Sequence, residues 1–331
     1  MTERYTEVLE MYDMEVYGIR KGRGAWILDT DRGCRLLKEY RGTARRLEFE
    51  AAVLERLRDS SGLKADQYVK SREEGLFTNA GDGTRFILKE WFLDRECNLK
   101  EFSEIRSAVT RIGMLHQLLR RVDFREEWNM GSILAKPLHE EMSRHNRELK
   151  RARSFIRGKR GKSEFELCVI DSYSQFFEQA QEAARGLEAM EQDGKSQLFL
   201  CHGDLDHHHV LMGNHYVAIV EYNRMHLGFQ PADLYRFMRK VMEKHGWNLR
   251  LGTMMLEAYE RILPMTAQER RCLYYLFLYP EKYWKQLNFY YNANKAWIPA
   301  RNTDKLRGLE EQQQARNSFL KRLKADCKGC V

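Results

Sequence analysis

The spacing of apolar residues predicts a strand-rich start to the chain. Residues 14–28 alternate like two strands joined by a glycine-containing turn. A second turn at 31–33 leads into another strand that ends at Lys38. Over 43–58 the apolar residues recur at intervals of three and four, which predicts a helix with one buried stripe.

Two further strands are expected over 67–77 and 84–92, around a turn rich in Asn, Asp and Gly. Beyond residue 94 the apolar period changes from that of strands to that of helices. Helices are predicted over 102–119, 140–158, 163–191, 233–243 and 249–263. These patterns predict an α+β fold with a small N-terminal antiparallel sheet lobe, 1–93, and a larger, mainly helical C-terminal lobe, 94–331.

The stretch 198–221 combines three short apolar runs with polar residues in the loops between them. The first run leads into a loop that contains Asp204, and the third run is closed by Glu221. Short β-like runs separated by turn residues predict a small hairpin unit. Its rigid strand ends can hold two carboxylates near one ligand, which suits the base and the metal ligand of phosphoryl transfer.

This stretch also carries a resemblance to a known family. The His-Gly-Asp motif at 202–204, followed by His209, is similar to the H-G-D-x-x-x-x-N loop of the aminoglycoside phosphotransferase and choline kinase-like superfamily. The closer resemblance is to CotS-type spore coat proteins, whose later blocks resemble residues 228–244 and 292–306. The resemblance covers nearly the whole chain and implies a two-lobed protein-kinase-like fold.

The resemblance implies a role for each polar residue of the central stretch. Asp204 would accept the proton of the substrate hydroxyl, and His202 would orient the loop backbone. Glu221 and His209 would hold Mg²⁺, or Mn²⁺, against the phosphates of ATP. Asp233 would steady the catalytic loop; the alternative is an acidic residue that only complements a helix dipole.

The resemblance also implies a nucleotide site in the N-terminal lobe. Gly22 and Gly24 precede Lys38 in the order in which a kinase-like lobe places its glycine turn and the strand lysine that pairs with the phosphates. A helix carboxylate would fix this lysine, and Glu48 is preferred to Glu50 for that role. The alternatives are an ordinary hairpin with a surface lysine and a solvated helix carboxylate.

Two aromatic segments each allow a binding role and a packing role. The run that contains Glu90 and Phe92 would form a hinge whose backbone contacts the adenine edge, although its aromatic residues equally fit a plain core. Residues 270–291 are rich in Tyr, Phe and Trp. Buried helix core is the expected role of that segment, and a stacking platform for a sugar or a base is the alternative.

Two positions depart from the kinase pattern. His209 replaces the loop Asn, and imidazole suits Zn²⁺, Ni²⁺ or Mn²⁺ better than Mg²⁺. Glu221 replaces the usual Asp and is one methylene longer. Two functions therefore stay open: an ATP-dependent phosphotransferase that acts on a sugar or small-molecule hydroxyl, or a kinase-fold protein without turnover that serves as a structural or assembly component of the spore coat. A transition-metal site of His202 with 207–209 is disfavoured, because adjacent strand residues point to alternate faces.

Composition and charge narrow the class of protein. The 331 residues are 43% hydrophobic, which is typical of a globular protein able to bury a sizeable core. The chain has a net charge of +8. The segment 144–162 holds nine Lys or Arg and a single Glu and therefore carries +8 by itself, so the rest of the chain has no net charge. Because the excess charge is confined to one segment, nucleic acid is not expected as a partner, and neither is a membrane. The resemblance implies nucleotide, a sugar or small-molecule acceptor and coat proteins as partners.

Cysteine usage and the N-terminus suggest a location. The seven cysteines are scattered and odd in number, which favours free thiols in a reducing compartment. Cys327 and Cys330 form a lone pair that cannot complete a four-ligand zinc site. The chain starts without a signal-peptide-like apolar segment, and it contains no apolar run near the ~20 residues of a bilayer span. These features predict an intracellular protein, and the resemblance to CotS-type proteins implies the mother-cell cytoplasm or the spore coat as its location.

Overall fold

The computed structural model describes residues 3–58, 62–128, 130–131, 133–194, 197–293 and 300–328. The elements up to residue 119 are α1 (Glu3–Leu9), β1 (Val16–Gly22), β2 (Ala25–Thr30), β3 (Gly33–Glu39), α2 (Ala44–Leu57), β4 (Leu63–Ala65), β5 (Tyr68–Val69), β6 (Thr78–Asn79), β7 (Arg85–Glu90), β8 (Arg95–Glu96) and α3 (Phe102–Leu119). The later elements are α4 (Leu138–Gly158), α5 (Glu164–Gln192), β9 (Phe199–Cys201), β10 (Val210–Met212), β11 (Val217–Ile219), β12 (His226–Gly228), α6 (Pro231–Lys244), α7 (Leu249–Glu260), α8 (Ala267–Leu278), α9 (Glu281–Asn292), α10 (Ala300–Glu311) and α11 (Gln313–Lys328). Short 3₁₀ turns lie at Glu126–Trp128, His207–His209 and Tyr222–Arg224.

The chain forms two compact units. The first comprises residues 1–133 with 200–226, and the second comprises 134–199 with 227–331. An antiparallel sheet precedes a mostly helical remainder, so the predicted α+β class is confirmed. The predicted lobe boundary between residues 93 and 94 stays a prediction.

The main sheet of the first unit has the strand order β1-β2-β3-β7-β5, with β6 also paired to β7. Its pairs are antiparallel, and Lys38 of β3 lies opposite Ile87 of β7. Helix α2 begins where the side chain of Thr43 accepts the backbone N–H of Arg46 at 3.2 Å. The helix predicted over 43–58 is therefore confirmed to within one residue at each end.

The strand predicted over 67–77 is wrong: only Tyr68–Val69 is a strand in that run. A tight turn follows, in which the N–H of Ser71 donates to the carbonyl of Gly75 and the N–H of Glu74 donates back to the carbonyl of Ser71. Glu74 has a positive φ of 61°. The side chain of Ser71 also accepts the N–H of Gly75, while the N–H of Arg72 donates to the carbonyl of Met11, so this run does not continue the ladder.

A second, smaller sheet has the order β4-β11-β10-β8. Strands β10 and β11 form an antiparallel hairpin within the predicted unit 198–221, while β4 adds to β11 in parallel. The third strand of that prediction, β9, instead pairs with β12 in a separate two-stranded sheet. Residues 202–209 therefore connect β9 to β10, two strands that belong to different sheets.

The second unit is built from the helices α4 to α11. Helix α5 starts with a capping box of Ser163 and Glu166, and α8 starts with one of Thr266 and Glu269. Most aromatic residues of 270–291 are buried, as in the stacked Phe176–Tyr283 pair at 4.3 Å, although Phe289 and Tyr291 remain exposed. Among the described residues, no helix combines the length and the apolar character that a membrane span needs.

Candidate active site

A tight turn between β1 and β2 lies at one end of the site. Arg23 and Gly24 both have positive φ, 52° and 69°, directly after Gly22 ends β1. The Arg23 guanidinium donates to the carbonyl of His208 at 2.9 Å and to the carboxylate of Glu96 at 2.6 Å. The predicted glycine turn is therefore tied to the loop that follows the His-Gly-Asp motif, within the same unit.

A cavity of about 580 Å³ lies in the first unit and is lined by Gly24, Lys38 and Glu221, among others. The Nζ atom of Lys38 is 3.7 Å from Oε1 of Glu221, and the two side chains are 33% and 21% exposed. The volume is within the range of small-ligand sites. A partly exposed pair of this length is weak, so an anionic ligand can compete with Glu221 for the ammonium group.

The backbone of Glu221 is held in the left-handed region, with φ 70° and ψ 56°, which costs a residue other than glycine roughly 1–2 kcal/mol. Its N–H donates to both carboxylate oxygens of Asp66, at 3.2 and 3.1 Å. Asp66 also forms an ion pair with Lys89 at 2.6 Å, and both side chains are buried. Burial raises the pKa of Asp66, and Lys89 opposes the rise. The buried pair fixes the backbone that carries Glu221.

Helix α2 contributes Glu50, rather than the predicted Glu48, to the cavity. Glu48 is exposed, and Lys38 is paired with the carboxylate described above. The carboxylate of Glu50 lies 2.6 Å from Nε of Arg46 and accepts the hydroxyl of Tyr68 at 2.7 Å. Glu50 therefore stabilises the wall of the cavity and is not the ion-pair partner of the lysine.

His202 joins the His-Gly-Asp loop to the segment that carries Glu221. The ring is fully buried, and its Nε2 lies 3.0 Å from the carbonyl of Val220. Its Nδ1 accepts the backbone N–H of Asp204 at 3.3 Å. Together these bonds require a proton on Nε2 and a lone pair on Nδ1, so the neutral ring positions Asp204 relative to Glu221.

The conformation of this loop depends on Gly203, which has a φ of 85°. A Cβ atom at this position would lie 2.1 Å from the carbonyl oxygen of Arg224 and 2.8 Å from Nδ1 of His226. The next residue, Asp204, places Oδ2 3.4 Å from Nε of Arg224, and its side chain is 32% exposed. The carboxylate is therefore accessible to a ligand, as a base must be.

The ring of His209 lies between two carboxylates. Its Nδ1 is 3.1 Å from Oδ1 of Asp206, and its Nε2 is 3.3 Å from Oε2 of Glu221. Burial opposes protonation of His209, but the two carboxylates outweigh it and raise the pKa of the ring to about 9. The same contact lowers the pKa of Glu221 to about 2, with help from Lys38 and against the effect of burial.

The predicted hinge begins at the last residue of β7, Glu90, and Phe92 follows the end of that strand. The N–H of Glu90 donates to the carbonyl of Gln67, and the Glu90 carboxylate lies 3.8 Å from Nη1 of Arg58. Phe92 packs against a buried apolar cluster, and its ring centre is 5.8 Å from that of Tyr216. This cluster consists of Ala25, Ile27, Leu36, Trp91, Leu211, Ala218 and Val220. Adenine contact at this run stays a prediction.

Two other predicted residues lie in the second unit. Asp233 is buried in the first turn of α6, where an acidic side chain complements the helix dipole. Its support of the catalytic loop stays a prediction. Cys327 lies near the end of α11 and is partly buried, whereas Cys330 lies outside the described residues.

The four histidines do not form one metal site. His202 is bonded to a backbone carbonyl, and His209 faces Glu221. Residues 207–209 form a 3₁₀ turn and not a strand, so the expected alternation of faces does not apply. Asp206, His207 and His208 offer ligand atoms within 4.8 Å of one another, but nothing else in the described chain indicates an ion there.

The divalent metal implied by the kinase pattern does not fit the side chains present. Mg²⁺ prefers six oxygen ligands at about 2.1 Å. Glu221 offers oxygens, but the expected amide oxygen is replaced by the ring of His209, whose two nitrogens both face carboxylates. A ring that carries protons on both nitrogens has no lone pair for any metal.

Sequence reasoning missed the polar residues that support the site, namely Arg23, Arg46, Asp66, Tyr68 and Lys89. One signal was available, because Lys89 directly follows the apolar run 86–88 of β7, and a lysine is rarely buried without a partner. Its partner could not be named, since Asp66 comes from a different part of the chain.

Comparison with known proteins supports the fold. No family model and no curated protein matches the sequence. An aminoglycoside phosphotransferase from Alicyclobacillus acidocaldarius is similar in structure, with a TM-score of 0.84, 16% identity and coverage of 98% of this chain and 96% of that chain. Spectinomycin phosphotransferase APH(9)-Ia in complex with ADP and spectinomycin has a TM-score of 0.62 at 11% identity, covering 94% and 95%. A microcompartment-associated aminopropanol kinase has a TM-score of 0.59 at 13% identity, covering 99% and 98%. The predicted kinase-like fold is thereby confirmed.

Proposed function

We propose that the protein is a nucleotide-dependent phosphotransferase that acts on the hydroxyl group of a small molecule. The observation that carries this proposal is the cavity in which Lys38 meets Glu221, whose carboxylate also contacts His209 of the loop that carries Asp204. Phosphotransferases with small acceptors are among the proteins of similar fold. A sugar, an aminoglycoside or an amino alcohol is therefore the acceptor class to test first.

Asp204 acts as the general base in the proposed reaction. The acceptor oxygen forms a bond to the γ-phosphorus of ATP, while the bond between that phosphorus and the β–γ bridging oxygen breaks. ADP leaves with the electron pair, and the hydroxyl proton passes to Asp204. Lys38 stabilises the phosphate charge after Glu221 gives way to the nucleotide. His202 is a positioning residue, since it is fully buried and bonds the backbone of Asp204.

The proposal is tested by the formation of ADP from ATP in the presence of a panel of amino alcohols, aminoglycosides and simple sugars. We expect ADP formation that depends on one acceptor class, together with a phosphorylated product. Asp204→Asn should lower turnover at least a hundredfold and leave ATP binding within about threefold, because base catalysis contributes roughly 10²–10⁴. Asp206→Asn is not a suitable control, since it contacts His209. Asp31→Asn, on a distant exposed turn, serves instead.

The alternative is a nucleotide-binding protein without turnover. One observation favours it: His209 and Glu221 face each other where a kinase holds its metal. ATP binding without acceptor-dependent ADP formation, across the whole panel, would support this alternative over the enzyme.

A place in the spore coat is proposed from the sequence resemblance to CotS-type proteins alone. It includes coat proteins as partners, and it places the protein in the mother-cell cytoplasm or in the coat. Mass spectrometry of coat fractions, beside whole-cell extracts from the same sporulating culture, tests it. Recovery in the whole-cell extract only, at every stage of sporulation, would contradict a coat location.

A further inference from the structure

We infer that the outer side of helix α4 binds an acidic protein segment that carries an apolar side chain at one end. We call this surface the arginine face; it consists of Arg144, Arg147, Arg151 and Phe155. It belongs to the second unit, and the inference does not depend on the proposed phosphotransferase activity.

The arginine face follows one side of the helix. Its four residues recur at intervals of three and four, which places them on one stripe, and all four are exposed. The stripe is about 16 Å long at a rise of 1.5 Å per residue. The other side of α4 is packed into the unit; its buried residues are Met142, His145, Leu149, Ala152 and Ile156.

The neighbouring cations of α4 already have partners inside the unit. The Nζ atom of Lys150 lies 5.6 Å from the ring centre of Phe177, and the guanidinium of Arg153 lies 4.5 Å from that of Tyr173. Both rings belong to α5. These cations therefore take part in the packing of α4 against α5.

The arginines of the arginine face have no comparable partners. Within the part of the chain that the structure describes, the side chains of Arg147 and Arg151 form no ion pair, hydrogen bond or ring contact. Arg144 has an exposed pair with Glu141 at 3.7 Å, and such a pair is weak. Guanidinium groups form paired hydrogen bonds with carboxylates, so an acidic partner satisfies this face.

An exposed aromatic pair lies at the C-terminal end of the arginine face. Phe155 is 52% exposed and Tyr291 of α9 is 41% exposed. Their ring centres are 5.8 Å apart in an edge-to-face arrangement. Aromatic residues at a protein surface are typical anchors for a partner side chain. A segment that contacts the whole face therefore carries carboxylates followed by an apolar residue.

These features favour a protein segment over a membrane or nucleic acid. A helix that lies on a bilayer buries its apolar side in lipid, whereas the apolar side of α4 is packed inside the unit. Nucleic-acid binding depends on the neutralisation of many phosphates. The arginine face offers three arginines, and the chain outside 144–162 has no net charge that could extend it.

The test measures the binding of a labelled synthetic peptide to the full chain by fluorescence anisotropy. The peptide is helix-forming, with Glu at every third or fourth position and one Trp near its end, and a second peptide has Gln in place of each Glu. We expect saturable binding of the Glu peptide and at least tenfold weaker binding of the Gln peptide. A tenfold rise in salt should weaken the Glu peptide at least fivefold, because salt screens exposed charges.

Matched substitutions test the position of the binding surface. The double variant Arg147→Gln and Arg151→Gln should bind the Glu peptide at least tenfold more weakly than wild type. The double variant Arg185→Gln and Arg250→Gln removes the same charge from exposed positions of α5 and α7, and it should stay within about twofold of wild type. Phe155→Ser should weaken binding at least threefold.

Several outcomes would overturn the inference. They are equal binding of the two peptides, no saturable binding of the Glu peptide, and equal losses in the two double variants. Tighter binding of a single-stranded oligonucleotide or of phosphatidylglycerol vesicles would assign the face to another partner, and so would self-association that the Glu peptide competes away. The comparison of the two peptides uses wild-type protein and needs no variant. None of these results affects the phosphotransferase proposal, which is measured by ADP formation.

Discussion

Two lysine–carboxylate pairs line the same cavity, and they differ in distance and in exposure. Lys89 and Asp66 are 2.6 Å apart, with side chains 6% and 1% exposed. Lys38 and Glu221 are 3.7 Å apart, with side chains 33% and 21% exposed. A buried pair stabilises a fold chiefly because removing either partner leaves the other charge unpaired. A looser, wetter pair contributes little to stability and can exchange one partner for a ligand. The buried pair therefore stabilises the structure around the cavity, and the more exposed pair is the one that can bind a ligand.

The largest expected effect is on the buried pair. Asp66→Ala leaves the ammonium of Lys89 buried and unpaired, and it removes the acceptor for the N–H of Glu221. We expect the free energy of unfolding to fall by about 3–5 kcal/mol, measured by urea denaturation. Lys38→Met should lower it by at most about 1 kcal/mol. Similar losses in the two variants would remove the distinction between the pairs.

The next effect separates the two carboxylates of α2. Glu50→Gln weakens bonds to Arg46 and Tyr68 in a buried setting, and it should cost about 1.5–3 kcal/mol. Glu48→Gln is the matched control on the exposed face and should change stability by less than about 0.5 kcal/mol. Thermal unfolding of both variants checks this prediction, and a larger loss in Glu48→Gln would contradict the assignment of Glu50 to the cavity wall.

A smaller effect is expected from pH. The pKa of His209 is raised to about 9, above the ordinary value of 6.5, so its contribution is fully present below about pH 6.5 and is lost as pH rises through 9. The loss should be on the order of 1–2 kcal/mol, since part of the site is in contact with solvent. It is measured as the difference in unfolding free energy between wild type and His209→Gln from pH 6 to 10. A difference in unfolding free energy that stays constant over this range would show that folding does not raise the pKa of His209.

The helices in which apolar residues recur at a regular spacing of three or four could be predicted from the sequence. The helix at 43–58 and the long pair at 140–158 and 163–191 correspond to α2, α4 and α5. A single apolar stripe and local capping determine such elements, so neighbouring residues hold the information. The strand at 67–77 failed because Ser71 and its polar neighbours form a local turn instead of a ladder.

The candidate site could be predicted only where the motif itself carries the residues. The sequence pointed to Lys38, Asp204 and Glu221, and the structure brings Lys38 and Glu221 into one pair. Glu48 and Glu50 lie two positions apart on one helix, so the sequence did not decide which of them lines the cavity. The apolar pattern did not show that Glu50 contacts Tyr68 of β5. Asp66 was also missed, because its role comes from pairing across distant parts of the chain.

The central claim is that the pair of Lys38 and Glu221 opens to receive a nucleotide. The most direct measurement is calorimetric titration of ATP into wild type, Lys38→Met and the control Lys21→Met, an exposed lysine of β1. We predict saturable binding to wild type and to Lys21→Met, and at least tenfold weaker binding to folded Lys38→Met. Equal affinity in all three proteins, or no binding to wild type, would contradict it.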